Sequence, residues 1–440
     1  MGRERIVLVM HTTAYGADAF VEASRRVGVD VAIASDRCPV LDQRWRWPAD
    51  SWVVDFYDPD AAAGVIADAA LADPAAPVRA VISVGGERPA LVAALAARRL
   101  GLPGNDPGAV AAAANKLRFR QLQTGAVDVA APRFLTVSLD ETPDGVVAAV
   151  EGSIGWPCVV KPLLLSGSRG VMRADDPATL RRAFERLRRI LLAPELLEMD
   201  PAASRLILLE SFVPGPEVAL EGVMFGAALH TLALFDKPDP LDGPFFEETI
   251  YVTPSRLPAA TQQAIEAAVA GAARAVGLGS GPVHAELRLG AGTPVVIDLA
   301  ARPIGGLCSR ALRFVRDAPL EELLIRQALG QDVRALARER CASGVMMIPI
   351  PAAGILKGVS GLAGARAIPG IEDVVVSVRP GEVVVPLPEG SSYLGFIFAR
   401  GESPAGVEAA LRQAHGCLSF EIAPRLPIDR DRDRAATDAV

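Results

Sequence analysis

The sequence predicts a mixed α/β and α+β protein: an open α/β domain, then a two-lobed α+β body, then a β-rich subdomain. Three observations support this. Apolar β-branched runs alternate with helical stretches over residues 5–100. Beyond residue 150 that alternation gives way to strand, Gly-rich turn, strand. Residues 340–440 read as short strands broken by Pro and Gly, with one late helix.

Residues 5–10 (RIVLVM) are a buried parallel strand, 16–27 a helix and 30–35 (DVAIAS) a second strand. An irregular aromatic stretch holding Trp45, Trp47 and Trp52 follows, then a helix at 59–72, a strand at 79–84 (RAVISV) and a helix at 88–100. Such alternation implies a doubly wound, Rossmann-like domain over 1–105 that ends near Leu102-Pro103-Gly104. One helical stretch is expected over 107–124 and a strand over Pro132–Val137. Strands at Cys158–Pro162, Ser166–Val171 and Arg205–Phe212 surround an Arg-studded helix at 179–192. Strand pairs at 216–236 and 282–300 flank a helix at 259–276, and another helix covers 404–415. These elements set a second domain at 106–335, with a mobile lid at 150–215, and a third domain at 336–428. Residues 429–440 form a charged tail expected to fray.

A chain of 440 residues, half of them hydrophobic, is long enough for several domains with a sizeable core. Lys+Arg 45 against Asp+Glu 52 leaves a formal charge of -7, which argues against a dedicated nucleic-acid binder. Cys38, Cys158, Cys308, Cys341 and Cys417 are odd in number and form no CxxC pair. Neither a zinc site nor a disulfide framework is suggested, and a reduced cytoplasmic protein is expected. The apolar run Ile6–Met10 is cut short by His11 and is too short for a signal peptide. No uncharged apolar run approaches the roughly eighteen residues that a membrane span needs.

Four separated segments carry chemistry. Lys116, near the start of a helix after Asn115, could reach a nucleotide phosphate as a point charge, or be an ordinary surface lysine. Lys161 ends the β-branched strand Cys158–Pro162, and Ser166-Gly167-Ser168-Arg169-Gly170 follows it. Loop glycines let backbone N–H groups close over phosphate oxygens; the bland alternative is a hairpin turn with a snorkelling lysine. Next, Glu210-Ser211-Phe212-Val213 leads into a Pro214-Gly215-Pro216 elbow and Glu217. A strand end offers backbone groups to a base edge, and a carboxylate can accept from ribose hydroxyls; a surface turn with solvated glutamates reads equally well. Last come His284-Ala285-Glu286 and Ile297-Asp298, placed on adjacent strands through a turn at Gly290–Thr293. Paired hard oxygen ligands suit Mg²⁺. Arg302 could fork onto a carboxylate or acyl phosphate, and Gly305 and Gly306 permit close backbone approach.

In this order the motifs resemble the ATP-grasp superfamily over 105–330, and the preceding and trailing domains extend the likeness along the chain. Within it the chain is most similar to the L-amino-acid ligases, dipeptide-forming carboxylate–amine ligases. Ile297-Asp298-Leu299-Ala300-Ala301-Arg302-Pro303, Gly354-Ile355-Leu356-Lys357-Gly358 and Tyr393-Leu394-Gly395-Phe396-Ile397 carry that closer likeness. The resemblance implies a two-lobed ATP-grasp fold, ATP with Mg²⁺ or Mn²⁺ as cofactors, and small-molecule carboxylate and amine substrates. It implies that Lys116 and Lys161 hold phosphates, that Ser166–Gly170 is a phosphate flap, that Glu210 to Val213 line adenine and that Glu217 meets ribose. It further implies that Glu286 and Asp298 ligate magnesium, that Arg302 and Lys161 serve catalysis, and that a homodimer is the assembly to look for. The chain departs from the common pattern at Ala300, where many relatives carry an Asn metal ligand, and at Asp298, where Glu is commoner. The number of metal ions is therefore open.

Weaker candidates lie between the elbow and the acidic strands. Lys237 could touch the γ-phosphate, and Glu247 or Glu248 could bind a substrate ammonium; a solvated loop is the alternative. His284 falls on the face of Glu286 by strand alternation. The expected activity is amide or dipeptide formation through an acyl phosphate. Competing readings are a ligase of bicarbonate or formate, and a nucleotide-binding regulatory module.

Overall fold

The computed structural model describes residues 4–36, 50–226, 228–290 and 292–425. Cys38, Trp45, Trp47 and the expected tail at 429–440 lie outside the described residues.

The strand Arg5–Met10 is buried at every position, as a strand covered on both faces requires. It lies inside a four-stranded parallel sheet ordered Asp50–Val53, Asp30–Ser35, Arg5–Met10, Val78–Ser83. Trp52, expected in an irregular stretch, is instead part of the edge strand. Its ring lies 5.6 Å from the Arg5 guanidinium, and Arg5 also pairs with Asp50 at 2.8 Å. A four-residue strand is too short for periodicity to announce it.

Several helices begin alike. Asp58, Asp106, Thr142, Asp176 and Ser403 each accept a backbone N–H of the first turn, and each is followed by Pro, which fits the first helical position. The single helix expected over 107–124 is two: Pro107–Ala114 and Lys116–Thr124. Asn115 is extended between them and caps the second by accepting from the Arg118 N–H at 3.1 Å. That break places Lys116 at the first position of a helix.

A four-stranded antiparallel sheet, ordered Phe134–Ser138, Leu206–Ser211, Cys158–Pro162, Met172–Ala174, packs beneath the helices Pro143–Ser153 and Pro177–Leu191. The strand expected at 166–171 is not there. Gly167, Ser168 and Gly170 take positive φ of 60°, 55° and 76°, so this stretch is a loop and pairing resumes only at Met172. At Gly170 a Cβ would lie 2.8 Å from a Leu187 methyl, so the loop also hugs the helix behind it.

The largest sheet has eight strands in the order Thr293–Ala300, Ser280–Gly290, Glu217–Phe225, Ala228–Lys237, Ile250–Thr253, Ala342–Ile348, Gly395–Gly401, Ile371–Val376. Strands on both sides of residue 336 therefore share one ladder: Ile250–Thr253 pairs antiparallel with Ala342–Ile348. A three-stranded sheet centred on Gly354–Ser360 completes the C-terminal end.

Candidate active site

One cavity of about 370 Å³ runs between the four-stranded antiparallel sheet, the eight-stranded sheet and the loops that follow the parallel strands. Near the four-stranded antiparallel sheet, Lys161 sits on a strand buried at all five positions and binds Glu210 at 2.7 Å. Glu210 also accepts from the Arg120 Nε at 2.5 Å. Burial alone would raise the Glu210 carboxyl; Arg120 and Lys161 hold it at about 2. Arg120 reaches further, donating to the backbone oxygens of Val296 at 2.9 Å and Ile297 at 2.6 Å. One guanidinium thus joins the strand Leu206–Ser211 to the strand that carries Asp298. Lys116 donates to Leu165 O at 2.8 Å and lies 3.6 Å from Asp298. Ser166, Gly167 and Ser168 line the same space, as do Ser211, Phe212 and Val213. The elbow there needs glycine: Gly215 has φ +102°, and a Cβ would lie 2.5 Å from Leu289 O.

Glu286 and Asp298 are direct cross-strand partners, and the register slips just after them. The carboxylates whose oxygens lie within 4.8 Å of one another are Glu217, Glu248 and Glu286, with Asp298 outside that group. Lys237 is sunk among them, 2.8 Å from Glu217, 3.5 Å from Glu286 and in hydrogen-bond contact with Glu248. Burial opposes charge on Lys237, but Glu217, Glu248 and Glu286 push its pKa well above the ordinary lysine value. Burial and the neighbouring Glu286 push Glu248 up to about 7. His284 bonds Glu221 through Nδ1 at 3.1 Å, and its Nε2 stands 3.7 Å from Glu286. Burial lowers the His284 pKa, yet the bond to Glu221 and the nearby Glu286 carboxylate lift it to about 9. Hard carboxylate oxygens facing one cavity, with Asp298 open towards it, form a donor set that fits Mg²⁺ or Mn²⁺.

At the other end of the cavity Arg302 donates to Glu87 from Nε at 3.0 Å and Nη2 at 2.8 Å, and its Nη1 donates to Pro303 O at 3.0 Å. Gly305 and Gly306 lie alongside. Tyr15, Tyr251, Cys308, Met347 and Tyr393 add an apolar wall to the cavity.

The structure thus brings Lys116, Lys161, Ser166, Gly167, Ser168, Glu210, Ser211, Phe212, Val213, Glu217, Glu248, His284, Glu286, Asp298, Arg302, Gly305 and Gly306 to one cavity. Lys237 lies beneath it, Gly170 packs behind the flap, and Glu247 is not among the lining residues. Sequence reasoning missed Glu87, Arg120, Glu221, Arg288 and Tyr251. Arg288 was within reach of strand alternation, two residues past Glu286 on the same face; it bonds Gly215 O at 2.9 Å and lies 3.6 Å from Glu217. Glu87 follows a strand and two glycines, also a legible signal. Arg120 and Glu221 carry none, since both act through partners distant in sequence.

Residues 154–311 match the ATP-grasp domain family, and residues 322–423 match the L-amino acid ligase C-terminal domain 2 family. The fold is similar to that of L-amino acid ligase from Bacillus licheniformis, with a TM-score of 0.79 and 25% identity over 96% of this chain and 100% of that one. An uncharacterized protein of Sinorhizobium fredii is 27% identical over 74% of this chain, and a D-alanine–D-alanine ligase of Aromatoleum aromaticum is 29% identical over 50% of it. The matches span 65% and 66% of those two proteins, just under two thirds of their length.

Proposed function

We propose that this chain, which carries an ATP-grasp domain joined to an L-amino acid ligase C-terminal domain, is an ATP-dependent carboxylate–amine ligase. It activates a carboxylate, best supported as that of an amino acid, as an acyl phosphate and couples it to an amine, giving an amide or dipeptide with ADP and phosphate. The observation that carries the reading is that Lys116, Lys161, Glu286, Asp298 and Arg302 line one cavity.

Roles follow from position. Lys116 and Lys161 offset charge on the nucleotide phosphates, and the Ser166–Ser168 backbone closes over them. Ser211 to Val213 border the base, and Glu217, one of the three clustered carboxylates, meets the ribose. Glu286 and Asp298 would hold Mg²⁺ or Mn²⁺, which would neutralise charge on the transferred phosphoryl group. Arg302, held by Glu87, faces the acyl end and stabilises the oxyanion formed on attack. Glu248 is placed to receive a substrate ammonium, beside the apolar wall that would contact its side chain. Closing the lid excludes water from the acyl phosphate. The proposal includes a cytoplasmic enzyme of small molecules, free of nucleic acid and membrane and acting as a homodimer. No helix among the described residues is long and apolar enough to cross a membrane.

The test is phosphate release from Mg-ATP in the presence of pooled amino acids and amines. Lys161→Ala and Glu286→Ala are expected to abolish it with the fold retained by circular dichroism. ATP binding without turnover on any pool would overturn the reading in favour of a regulatory module.

A further inference from the structure

The loop after the first strand carries a second polar constellation. His11 lines the cavity, and its Nδ1 lies 2.7 Å from Asp36 Oδ2. Asp36 Oδ1 accepts from the Thr12 N–H at 2.9 Å and from the Thr12 hydroxyl at 2.7 Å. Burial pushes the Asp36 carboxyl up, but His11 and Thr12 hold it below the ordinary value, so it is an ionised acceptor. An ionised carboxylate cannot donate, so His11 Nδ1 carries the hydrogen, and in the neutral ring Nε2 is left bare. Phe56 meets the imidazole edge-on at 4.5 Å between centroids and fixes its plane. On the other side, His11 Cδ2 lies 3.7 Å from where a Gly86 Cβ would be, so glycine there leaves room beside the ring. The residue after Gly86 is Glu87, which grips Arg302. The imidazole therefore packs beside the residue that precedes Glu87, the partner of Arg302. Among the described residues, the charged and titratable groups around it are Asp36, Tyr15 on its own loop, Tyr57 and Arg88 behind Phe56, and Glu87 beyond Gly86.

We propose that His11 is the general base that deprotonates the amine substrate, with Asp36 as its orienting partner. The inference rests on the ligase reading above. An incoming ammonium cannot attack, because its lone pair is held by a proton. His11 Nε2 takes that proton, and the freed pair forms the N–C bond at the acyl phosphate carbon. The carbon–oxygen bond to phosphorus then breaks, its electrons leave with phosphate, and the second nitrogen proton departs to that phosphate. Amide and hydrogen phosphate result, and the imidazolium returns its proton to solvent.

The experiment compares two nucleophiles in wild type, His11→Gln and Asp36→Asn, each first checked for an unchanged melting temperature. One is an amino acid, mostly an ammonium near neutral pH; the other is hydroxylamine, largely unprotonated there and trapped as the hydroxamate. Positioned bases contribute about 10²-fold or more. His11→Gln should therefore lower kcat for amide formation on the order of 100-fold, with a much smaller loss in hydroxamate formation. The amide deficit should narrow as pH rises through the pKa of the amino acid's own ammonium, because the free amine then no longer needs a base. Asp36→Asn should show the same pattern, weaker. Equal losses with both nucleophiles, or a rise in KM for the amino acid at unchanged kcat, would overturn the proposal and make His11 a carboxylate anchor or a packing residue. Absence of hydroxamate in the wild type, with any carboxylate, would instead sink the ligase reading and the proposal with it.

Discussion

Arg302 donates twice to a single oxygen of Glu87, from Nε at 3.0 Å and Nη2 at 2.8 Å. The contact fastens the Arg302 end of the cavity to the helix Glu87–Arg99 of the parallel-sheet layer, so the guanidinium is aimed by a residue far from it in sequence. Burial raises the Glu87 carboxyl, but Arg302 and then Lys116 bring it below the ordinary value. Glu87→Ala leaves the guanidinium without its partner and is expected to cost about 2–3 kcal/mol. That is less than a fully buried pair, because 24% of the Glu87 side chain is exposed. Glu87→Gln keeps one acceptor, so its melting temperature should fall less while kcat for phosphate release falls about tenfold through misalignment of Arg302. Melting curves and steady-state phosphate release on both variants check this.

Lys237 answers a different charge problem. It is 3% exposed, and Glu217, Glu248 and Glu286 all converge on it. Lys237→Met leaves those carboxylates facing one another without a buried cation. Stability should fall by about 3–5 kcal/mol in urea unfolding, the range for a broken buried pair. Because three carboxylates within 4.8 Å could then take up a cation, millimolar Mg²⁺ should restore more stability to the variant than to wild type. Equal Mg²⁺ effects on the two would contradict that account.

The alternation of strands and helices up to residue 100, and the acidic cross-strand pair Glu286 and Asp298, were legible because each follows from a local period. The stretch Ser166–Val171 carries two readings in sequence, a strand and a glycine-rich loop; it holds no apolar alternation, and the positive φ of Gly167, Ser168 and Gly170 makes it a loop. In sequence Lys237 is a weaker candidate for the γ-phosphate, in the segment between the elbow and the acidic strands. Its true surroundings depend on Glu217, Glu248 and Glu286, which pairing of non-adjacent segments brings together. Glu210 read as lining a base, and it does line the cavity, but both its oxygens are already engaged by Arg120 and Lys161.

That engagement has a pH signature. The Glu210 carboxyl is held at about 2 against an ordinary 4.5. A depressed native pKa adds stability that is fully present above about 4.5 and lost as pH falls through 2. The shift corresponds to about 3 kcal/mol at neutral pH. Glu210→Gln should therefore melt well below wild type at neutral pH, and the gap should close as the pH is taken down towards 2. A gap that stays constant across that window would mean that Glu210 contributes by packing alone.

The loop Ser166–Gly170 and the helix Pro177–Leu191, part of the lid proposed above, are tied to residues near the C-terminal end of the fold. Arg186 forks onto Glu389 at 2.6 and 2.7 Å, Arg169 Nε donates to Glu389 O at 2.9 Å, and the Gly170 N–H donates to Pro388 O at 2.9 Å. Three contacts from the flap and the helix behind it thus meet one loop. The ion pair is more than a third exposed on the Glu389 side, so solvent screens it, and Glu389→Ala should change stability by less than about 1 kcal/mol. Its effect should fall on closure instead. A lid that opens more often admits water to the acyl phosphate, so phosphate released per amide formed should rise above one in the variant, by a factor of about two or more. Parallel assays of phosphate and amide on the same reaction measure that ratio. A ratio unchanged from wild type, with faster turnover, would place the latch on product release rather than on water exclusion, because opening would then limit the rate without exposing the intermediate.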